Sequence, residues 1–367
     1  VDANNDLVDL LNRRGGYRVV IKRNGKTDET VNINGISALH SSDKEAVLEK
    51  LASCSICATS VGQGALPFVV PVIAEAVKKR RSQKQAAGDG EPLDVIIAEN
   101  IRGGADYFRK IFIDSGVDEN AAGFVETSIG KMVPIMTAED LADDPLVLHA
   151  EEYNTLILDG RGFRGQVPDF PEIKAVDNIA AWVDRKLFIH NLGHAAAAYL
   201  GFESNPGLRL IAEAVEDGVI GEGVRGAMSQ AAAALLKEYP TDFTAAALDE
   251  HIDDLIFRFG NRALGDTVFR VGRDLGRKLS RDDRVLGAAA LCLKHSLPDD
   301  KILRVFKAAL GFRATGEDGK MFAGDADFHA RLAEEGLPAV IKNRLGLDPG
   351  QAPGDSELAR KLAEAAG

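Results

Sequence analysis

An amine, an amide and an imidazole occur close together in the stretch Lys186-Leu-Phe-Ile-His-Asn-Leu-Gly-His194. The stretch lies inside one long helical pattern. At 3.6 residues per turn, the side chains of Lys186, Asn191 and His194 fall within an arc of roughly 140°. A neutral lysine can take a proton, an asparagine amide can hold an oxygen, and a histidine can orient a hydroxyl. The spacing therefore predicts a site that removes a proton from an alcohol.

Each of these side chains also has a purely structural interpretation. Lys186 could be a surface lysine, Asn191 could bond to a backbone carbonyl inside its helix, and His194 could be a satisfied core histidine. His190 lies four residues from both Lys186 and His194, and two histidines at that spacing can bind zinc. No H-E-x-x-H pattern or obvious third ligand accompanies them, so the sequence predicts no metal site.

The elements that must position these residues are of two kinds. Up to residue 175, short β-rich runs alternate with helical patterns, which indicates an α/β fold built on a parallel sheet with helices on both faces. An Asn24-Gly25 turn predicts a hairpin, and 82–91 reads as a surface loop. The predicted strands are 17–21, 30–33, 55–58, 95–98 and 123–127, and the predicted helices between them are 6–14, 66–80 and 106–115.

Residues 176–367 have a different residue pattern: Ala- and Leu-rich helical patterns dominate, and runs of β-branched residues are rare. We therefore expect two domains, an α/β domain over 1–175 and a mainly α-helical domain over 176–367. The predicted helices of the second domain are 177–200, 207–217, 219–238, 242–259, 282–294, 299–310, 325–334 and 355–366.

Composition narrows the class of protein. The 367 residues are 45% hydrophobic and 27% charged, which is ordinary for a globular protein, and the net charge of -12 argues against a nucleic-acid partner. Apolar runs are too short to cross a membrane. We therefore expect no signal peptide, no membrane partner and a cytoplasmic location. Cys54 and Cys57 form a C-x-x-C, but without a second pair they are interpreted as small buried residues of a reduced protein.

Polar or small residues follow three predicted strands. In open parallel sheets, ligands bind beyond the carboxyl ends of the strands, and here those ends carry Asp2, Thr59-Ser-Val61-Gly62 and Glu99-Asn100. An acid at the end of a second strand can bind both ribose hydroxyls of a dinucleotide and repel a 2′-phosphate, which favours NAD over NADP. The alternative for Asp2 is a helix N-cap.

The glycine-rich fingerprint of dinucleotide sites, G-x-G-x-x-G, does not occur before Asp2, and Gly62-Gln-Gly64 is no substitute for it. If Asp2 is the ribose acid, the glycine turn should lie roughly 20 residues earlier. We therefore expect the sequence shown to lack the first strand and glycine turn of its first domain.

The chain resembles the polyol-specific long-chain dehydrogenases of the mannitol dehydrogenase family. The order and spacing of the matching stretches hold over nearly the whole chain, and the set is more specific than any one member. The stretches are Val1-Asp-Ala-Asn4, Ala98-Glu-Asn100, Gly123-Phe-Val-Glu126, Asp177-Asn-Ile-Ala-Ala-Trp-Val-Asp-Arg-Lys-Leu-Phe188, Asn191-Leu-Gly-His194, Arg258-Phe-Gly-Asn261, Arg270-Val-Gly-Arg273 and Arg277-Lys-Leu-Ser280.

The resemblance implies a Rossmann-type NAD-binding domain, a mainly helical catalytic domain, and metal-free hydride transfer with NAD as cofactor. It implies that Lys186 is the general base, that Asn191 and His194 share its site, and that Asn100 helps to hold the reacting oxygen. The residues expected near the cofactor are Asp2, Thr59, Val61, Gly62, Glu99 and Asn100.

The similarity is greatest to family members that act on a sugar alcohol phosphate, so we expect mannitol 1-phosphate and fructose 6-phosphate as the substrate pair. A basic run suits an anionic substrate end such as a phosphate, although such runs are more often solvated faces. Its members are Arg270, Arg273, Arg277 and Lys278.

Two departures from the family pattern, Gly130-Lys131 and Arg273-Asp-Leu-Gly-Arg277, put the identity of the substrate in question. Free mannitol or a hexuronate (tagaturonate or fructuronate) is the alternative on the same fold. Two alternatives belong to other classes: a non-catalytic nucleotide-binding or regulatory protein, and a zinc hydrolase that uses His190 and His194. The sequence leaves monomer and dimer open.

Overall fold

The computed structural model of the protein describes residues 1–85, 92–348 and 354–367. Its contacts divide the chain into two compact units. Unit 1 consists of Val1–Lys22 and Thr27–Val183, and unit 2 consists of Arg23–Lys26 and Asp184–Gly367. The main division therefore falls between Val183 and Asp184. The sequence predicted this boundary between residues 175 and 176.

Unit 1 is an α/β structure. Its strands are β1 (Gly16–Lys22), β2 (Glu29–Asn34), β3 (Ile56–Thr59), β4 (Leu93–Ile97), β5 (Ala122–Ile129), β6 (Leu148–Glu151), β7 (Leu156–Asp159) and β8 (Ile173–Val176). Its helices are α1 (Asn5–Arg14), α2 (Lys44–Ser53), α3 (Leu66–Gln85) and α4 (Gly104–Asp114). Residues 82–85 belong to α3, so the start of the predicted 82–91 loop is wrong, and 86–91 lie outside the described residues.

The main sheet has five strands in the order β3-β4-β5-β7-β8. Strands β3, β4 and β5 are parallel, which confirms the predicted parallel sheet, whereas β7 runs antiparallel to β5 and parallel to β8. The predicted hairpin is also confirmed, but it pairs with β6 in a separate sheet of order β2-β1-β6. The sequence reading missed β6, β7 and β8.

The core of unit 1 lies between the parallel strands and the helices α3 and α4. Strand β4 is almost wholly apolar because its side chains are buried on both faces of the sheet. The rings of Phe112 and Phe124 meet edge to face at 4.8 Å. The one charged residue of β4, Asp94, is buried and accepts hydrogen bonds from the backbone N–H groups of Arg164 and Gly165. These bonds tie the loop before β8 to the centre of the sheet.

The two cysteines of the C-x-x-C sequence are free thiols in different elements, and both are half-buried where the sequence predicted buried residues. Cys54 caps the C-terminus of α2, and Cys57 lies in β3. Burial raises the pKa of the Cys57 thiol to about 12. Because thiolates are the reactive form, Cys57 is an inert packing residue at neutral pH.

Unit 2 is helical, as predicted, and α5 leads into it from unit 1. The helices are α5 (Ile179–Arg185), α6 (Leu192–Ser204), α7 (Ile211–Glu216), α8 (Gly218–Glu238), α9 (Ala245–Phe259), α10 (Val268–Gly272), α11 (Leu275–Lys278), α12 (Leu286–Lys294), α13 (Asp300–Leu310), α14 (Ala323–Glu335), α15 (Leu337–Asn343) and α16 (Asp355–Ala366). In the described part of the chain, no helix is long and apolar enough to cross a membrane.

Helix α6 is the central helix of unit 2 and is buried over most of its length. Its small residues let neighbouring helices approach closely. A Cβ at Gly193 would collide with the side chain of Met228 on α8, and the hydroxyl of Tyr199 donates a hydrogen bond to the carbonyl of Gly272 at 3.0 Å. The residues just before α6 are therefore anchored to a rigid scaffold.

Candidate active site

A π-helical turn, Lys186–Asn191, joins α5 to α6. The backbone N–H of Leu192 donates to the carbonyl of Leu187, which gives the wider turn of a π-helix. The predicted arc of about 140° assumed a regular α-helix and is wrong for this turn. Lys186 and Asn191 have the π hydrogen-bond spacing of five residues, so they lie one turn apart on the same side of the helix. Single π turns are frequent at functional sites.

The amine of Lys186 lies in an environment that favours its neutral form. Burial, together with the guanidinium groups of Arg284 and Arg277, lowers the pKa of Lys186 to about 8, while Asp283 opposes the shift. At pH 7, about one amine in ten is then neutral, compared with about one in 2500 for an ordinary lysine. Lys186 can therefore act as a base near neutral pH.

His194 lies between a carboxylate and an aromatic ring. Its Nε2 is 3.2 Å from Oδ2 of Asp266, whose side chain is only 9% exposed. The ring of Phe259 stacks on the imidazole, with centroids 4.7 Å apart and planes 5° apart. These two contacts hold the plane of the His194 ring.

His190 lies deeper in the same helix, against the rings of Phe259 and His194. Burial and the nearby Arg258 hold the pKa of His190 well below its usual value, so its imidazole is neutral. In the ranges that the structure describes, no group of three or more His, Cys, Asp or Glu side chains could hold a metal ion. Asn191, the remaining predicted site residue of this turn, is half-buried.

The four residues of the predicted basic run have different surroundings. Arg270 pairs with the carboxylate of Asp266, and the Arg273 guanidinium lies 5.8 Å and 5.7 Å from the ring centroids of Phe269 and Phe322. Arg277 pairs with Asp274 at 2.5 Å. These contacts hold three guanidinium groups in place on and around α10 and α11.

Lys278, the fourth member, is buried, and its Nζ donates a hydrogen bond to the carbonyl of Val271. Burial and the neighbouring Arg284 and Arg277 lower its pKa to about 7. Those same two guanidinium groups lower the pKa of Lys186, so both amines belong to one cationic cluster. The cluster consists of Lys186, Arg277, Lys278 and Arg284, with carboxylates at Asp274, Asp283 and Asp325.

The sequence reading missed Asp266, Asp283 and Arg284. Asp283 and Arg284 lie just after Arg277-Lys-Leu-Ser280, the last stretch that carries the family resemblance. Their side chains pair with each other at 2.7 Å. The spacing of Asp266 and Arg270, four residues apart, is a sequence signal for the ion pair between them. Nothing in the local sequence signals the contact of Asp266 with His194.

All the predicted cofactor residues lie in unit 1, and all except Asp2 lie at the carboxyl ends of β3 and β4. Glu99 follows β4, and its two carboxylate oxygens accept hydrogen bonds from the backbone N–H groups of Val61 and Gly62 at 2.8 Å and 2.9 Å. This carboxylate therefore holds the turn after β3. The side chain of Gln63 adds a second link, a 2.7 Å hydrogen bond to the carbonyl of Asn100.

The surface of this turn is open at Val61 and Gly62. Val61 is 45% exposed, and a Cβ on Gly62, at φ +79°, would meet nothing within 4 Å. An open apolar surface beyond the carboxyl ends of parallel strands is where such folds bind nucleotides. Thr59, at the end of β3, is buried beneath it.

Asp2 lies apart from these hydrogen bonds. Its carboxylate accepts from the backbone N–H of Asn4, and its backbone forms an isolated bridge with His40. The N-cap of α1 is Asn4, so the alternative role of Asp2 as the cap of that helix is wrong. The roles of Asp2 and Asn100 toward a ligand stay predictions.

Comparisons with known families now place the chain in a class. Residues 1–172 match the family model described as the mannitol dehydrogenase Rossmann domain, and residues 178–342 match the mannitol dehydrogenase C-terminal domain. The chain belongs to the mannitol dehydrogenase family. It is an NAD-dependent polyol dehydrogenase with a Rossmann-type domain followed by a helical domain, as the resemblance implied.

Two solved structures share the fold. A D-sorbitol dehydrogenase in substrate-free form is similar with a TM-score of 0.77 at 18% identity, covering 98% of this chain and 83% of that one. The Pseudomonas fluorescens mannitol 2-dehydrogenase in a ternary complex with NAD and D-mannitol gives a TM-score of 0.70 at 18% identity, covering 98% and 82%.

Proposed function

We propose that the protein interconverts a sugar alcohol phosphate and its keto-sugar phosphate, with mannitol 1-phosphate and fructose 6-phosphate as the pair. The observation that carries the proposal is the cationic cluster around Lys186. It combines an amine that is partly neutral near pH 7 with further cations close by. The first property suits proton removal, and the second suits an anionic group on the substrate.

In alcohol oxidation, the neutral amine of Lys186 takes the hydroxyl proton and becomes an ammonium. The amide of Asn191 donates a hydrogen bond to the same oxygen as negative charge develops on it. His194 hydrogen-bonds to a neighbouring hydroxyl and so fixes which carbon reacts. Bound NAD supplies the acceptor for the hydride.

The phosphate end is assigned to the basic run and to Arg284. Lys278 is buried and the side chain of Arg284 is only 12% exposed. A cation shielded from water interacts more strongly with an anion than an exposed one does. The described contacts of the Arg273 guanidinium are with aromatic rings and not with a carboxylate, so its charge can serve an anionic ligand. We propose that these residues separate phosphorylated from neutral substrates.

The test is oxidation of NADH by the purified protein with fructose 6-phosphate, fructose and a hexuronate in turn. We expect fructose 6-phosphate to give the highest kcat/KM. Activity with unphosphorylated fructose and none with the phosphate would contradict the phosphate assignment and leave the dehydrogenase chemistry intact.

A hexuronate is the second candidate substrate, because the same cations can bind a carboxylate. One observation favours it: the cluster also contains Asp274, Asp283 and Asp325, which leaves a small surplus of positive charge. A singly charged carboxylate needs less positive charge than a phosphate does. Preference for the hexuronate in the same assay would select this alternative.

A further inference from the structure

The carboxylate of Asp266 lies close enough to His194 to orient its imidazole ring. It approaches Nε2 of the imidazole at 3.2 Å, from a side chain that is only 9% exposed. Its other oxygen, Oδ1, contacts the guanidinium of Arg270. The pairing with Arg270 favours the ionised carboxylate, which can only accept hydrogen bonds.

The backbone around Asp266 fixes the position of that carboxylate. Its carbonyl accepts a 2.9 Å hydrogen bond from the N–H of Ile211, and the next residue, Thr267, pairs with Leu210 in an isolated bridge. The hydroxyl of Thr267 then caps α10 by accepting from the N–H of Arg270. Asp266 and Arg270 are thus both held at the N-terminus of α10.

The ring of Phe259 restricts the imidazole from a second direction. It lies nearly parallel to the His194 ring, at 4.7 Å, so rotation of the imidazole out of its plane would break this stacking. With the plane fixed and the Asp266 carboxylate 3.2 Å from Nε2, the proton of a neutral imidazole is more stable on Nε2 than on Nδ1. Nδ1 is then left as a hydrogen-bond acceptor.

We propose that Asp266 is a positioning residue that fixes the Nε2-protonated tautomer of His194 and so leaves Nδ1 to accept a hydrogen bond from a substrate hydroxyl. The use of Nδ1 by a sugar hydroxyl rests on the function proposed above. The tautomer itself does not, because it is a property of the protein without substrate.

Nitrogen NMR of the protein labelled with ¹⁵N-histidine tests the tautomer directly. The His194 signals are assigned as those that disappear in His194→Gln, and spectra are recorded at about pH 9, above the ordinary imidazole range. We expect the wild-type ring to carry its proton on Nε2. A wild-type ring with the proton on Nδ1 overturns the proposal, and this arm needs no further variant to fold.

Asp266→Asn is the informative variant. The asparagine oxygen faces Arg270, so its amide group faces Nε2 and favours the opposite tautomer, with the proton on Nδ1. Asp299→Asn is the matched control, because Asp299 is also a buried acid of unit 2 and is paired with Lys361 at 2.6 Å. We expect the tautomer to change only in Asp266→Asn. An unchanged tautomer in that variant overturns the proposal.

Kinetics separate this claim from the proposed function. Asp266→Asn is expected to raise the KM for the sugar substrate about tenfold, the size of one lost hydrogen bond, with an unchanged dissociation constant for NADH. An unchanged KM in a variant with the altered tautomer overturns the positioning role. Absence of activity with every sugar tested would count against the proposed function and leave the tautomer result standing.

Discussion

At the scale of residues, burial and the charges around Lys186 set the protonation of its amine. The pKa of Lys186 is lowered to about 8 by burial first and by Arg284 and Arg277 next. Alcohol oxidation needs the neutral amine, so its kcat/KM should rise as the pH rises through about 8. Ketone reduction needs the ammonium and should decline over the same range.

Arg284→Gln tests this electrostatic account. Removing one cation favours the protonated amine, so the midpoint of the oxidation profile should move up by roughly half a unit to one unit. Arg281→Gln is the matched control, since Arg281 pairs with Asp282 and Asp355 and does not act on Lys186. The pH dependence of kcat/KM is measured for both variants. Equal shifts in the two would show that Arg284 has no special effect on Lys186.

At the scale of elements, the sequence predicted the long helices well but did not predict the π turn at Lys186–Asn191. Helix α8 was predicted at 219–238 and is found at Gly218–Glu238, because its apolar residues recur with the helical period. The π turn escaped prediction because hydrophobic spacing does not reveal whether a backbone bond spans four or five residues.

The short strands escaped for a different reason. Strands β6, β7 and β8 have four residues each, and β6 contains His149 and Glu151 within Leu148–Glu151. Such segments lack the run of β-branched residues from which strands are predicted. Pairing stabilises them: β6 pairs with β1, β7 with β5, and β8 with β7. The local sequence does not show this pairing. The contact of Asp266 with His194 was missed for the same reason.

The packing of α6 on α8 is the element-scale feature most open to test. Gly193→Ala adds a methyl group where the side chain of Met228 already lies, so we expect a loss of about 1–3 kcal/mol in the free energy of unfolding. Met228→Ala in the same chain should recover part of that loss, because it vacates the space. Denaturant unfolding of the two single variants and the double variant measures this coupling. Strictly additive losses would mean that the two side chains do not compete for the space.

At the scale of the whole molecule, the chain combines the two domains of the mannitol dehydrogenase family, and its class follows from their order. The sequence allowed that assignment because its motifs are spread over both units. It did not identify the substrate, since the side chains that surround Lys186 come from segments far apart in the chain. Arg277, Asp283 and Arg284 acquire their roles only when the chain is folded.

Nucleotide binding should raise the Tm of the protein, and the difference between NADH and NADPH tests whether Asp2 binds the ribose. At about 100 times its dissociation constant, NADH should add about 2.7 kcal/mol, which for a chain of this size raises Tm by several degrees. NADPH at the same concentration should raise Tm less, because a ribose-binding acid repels the 2′-phosphate. Thermal unfolding with each nucleotide measures the difference. An equal rise would remove Asp2 from the cofactor site.

The central claim is that one buried amine takes the proton, and turnover of Lys186→Ala tests it most directly. We expect kcat to decline by about a hundredfold to ten-thousandfold, with an unchanged dissociation constant for NADH. Lys294→Ala, at an exposed lysine paired with Glu238, should keep its turnover. Near-normal kcat in Lys186→Ala would contradict the account, because another group would then have to remove the proton.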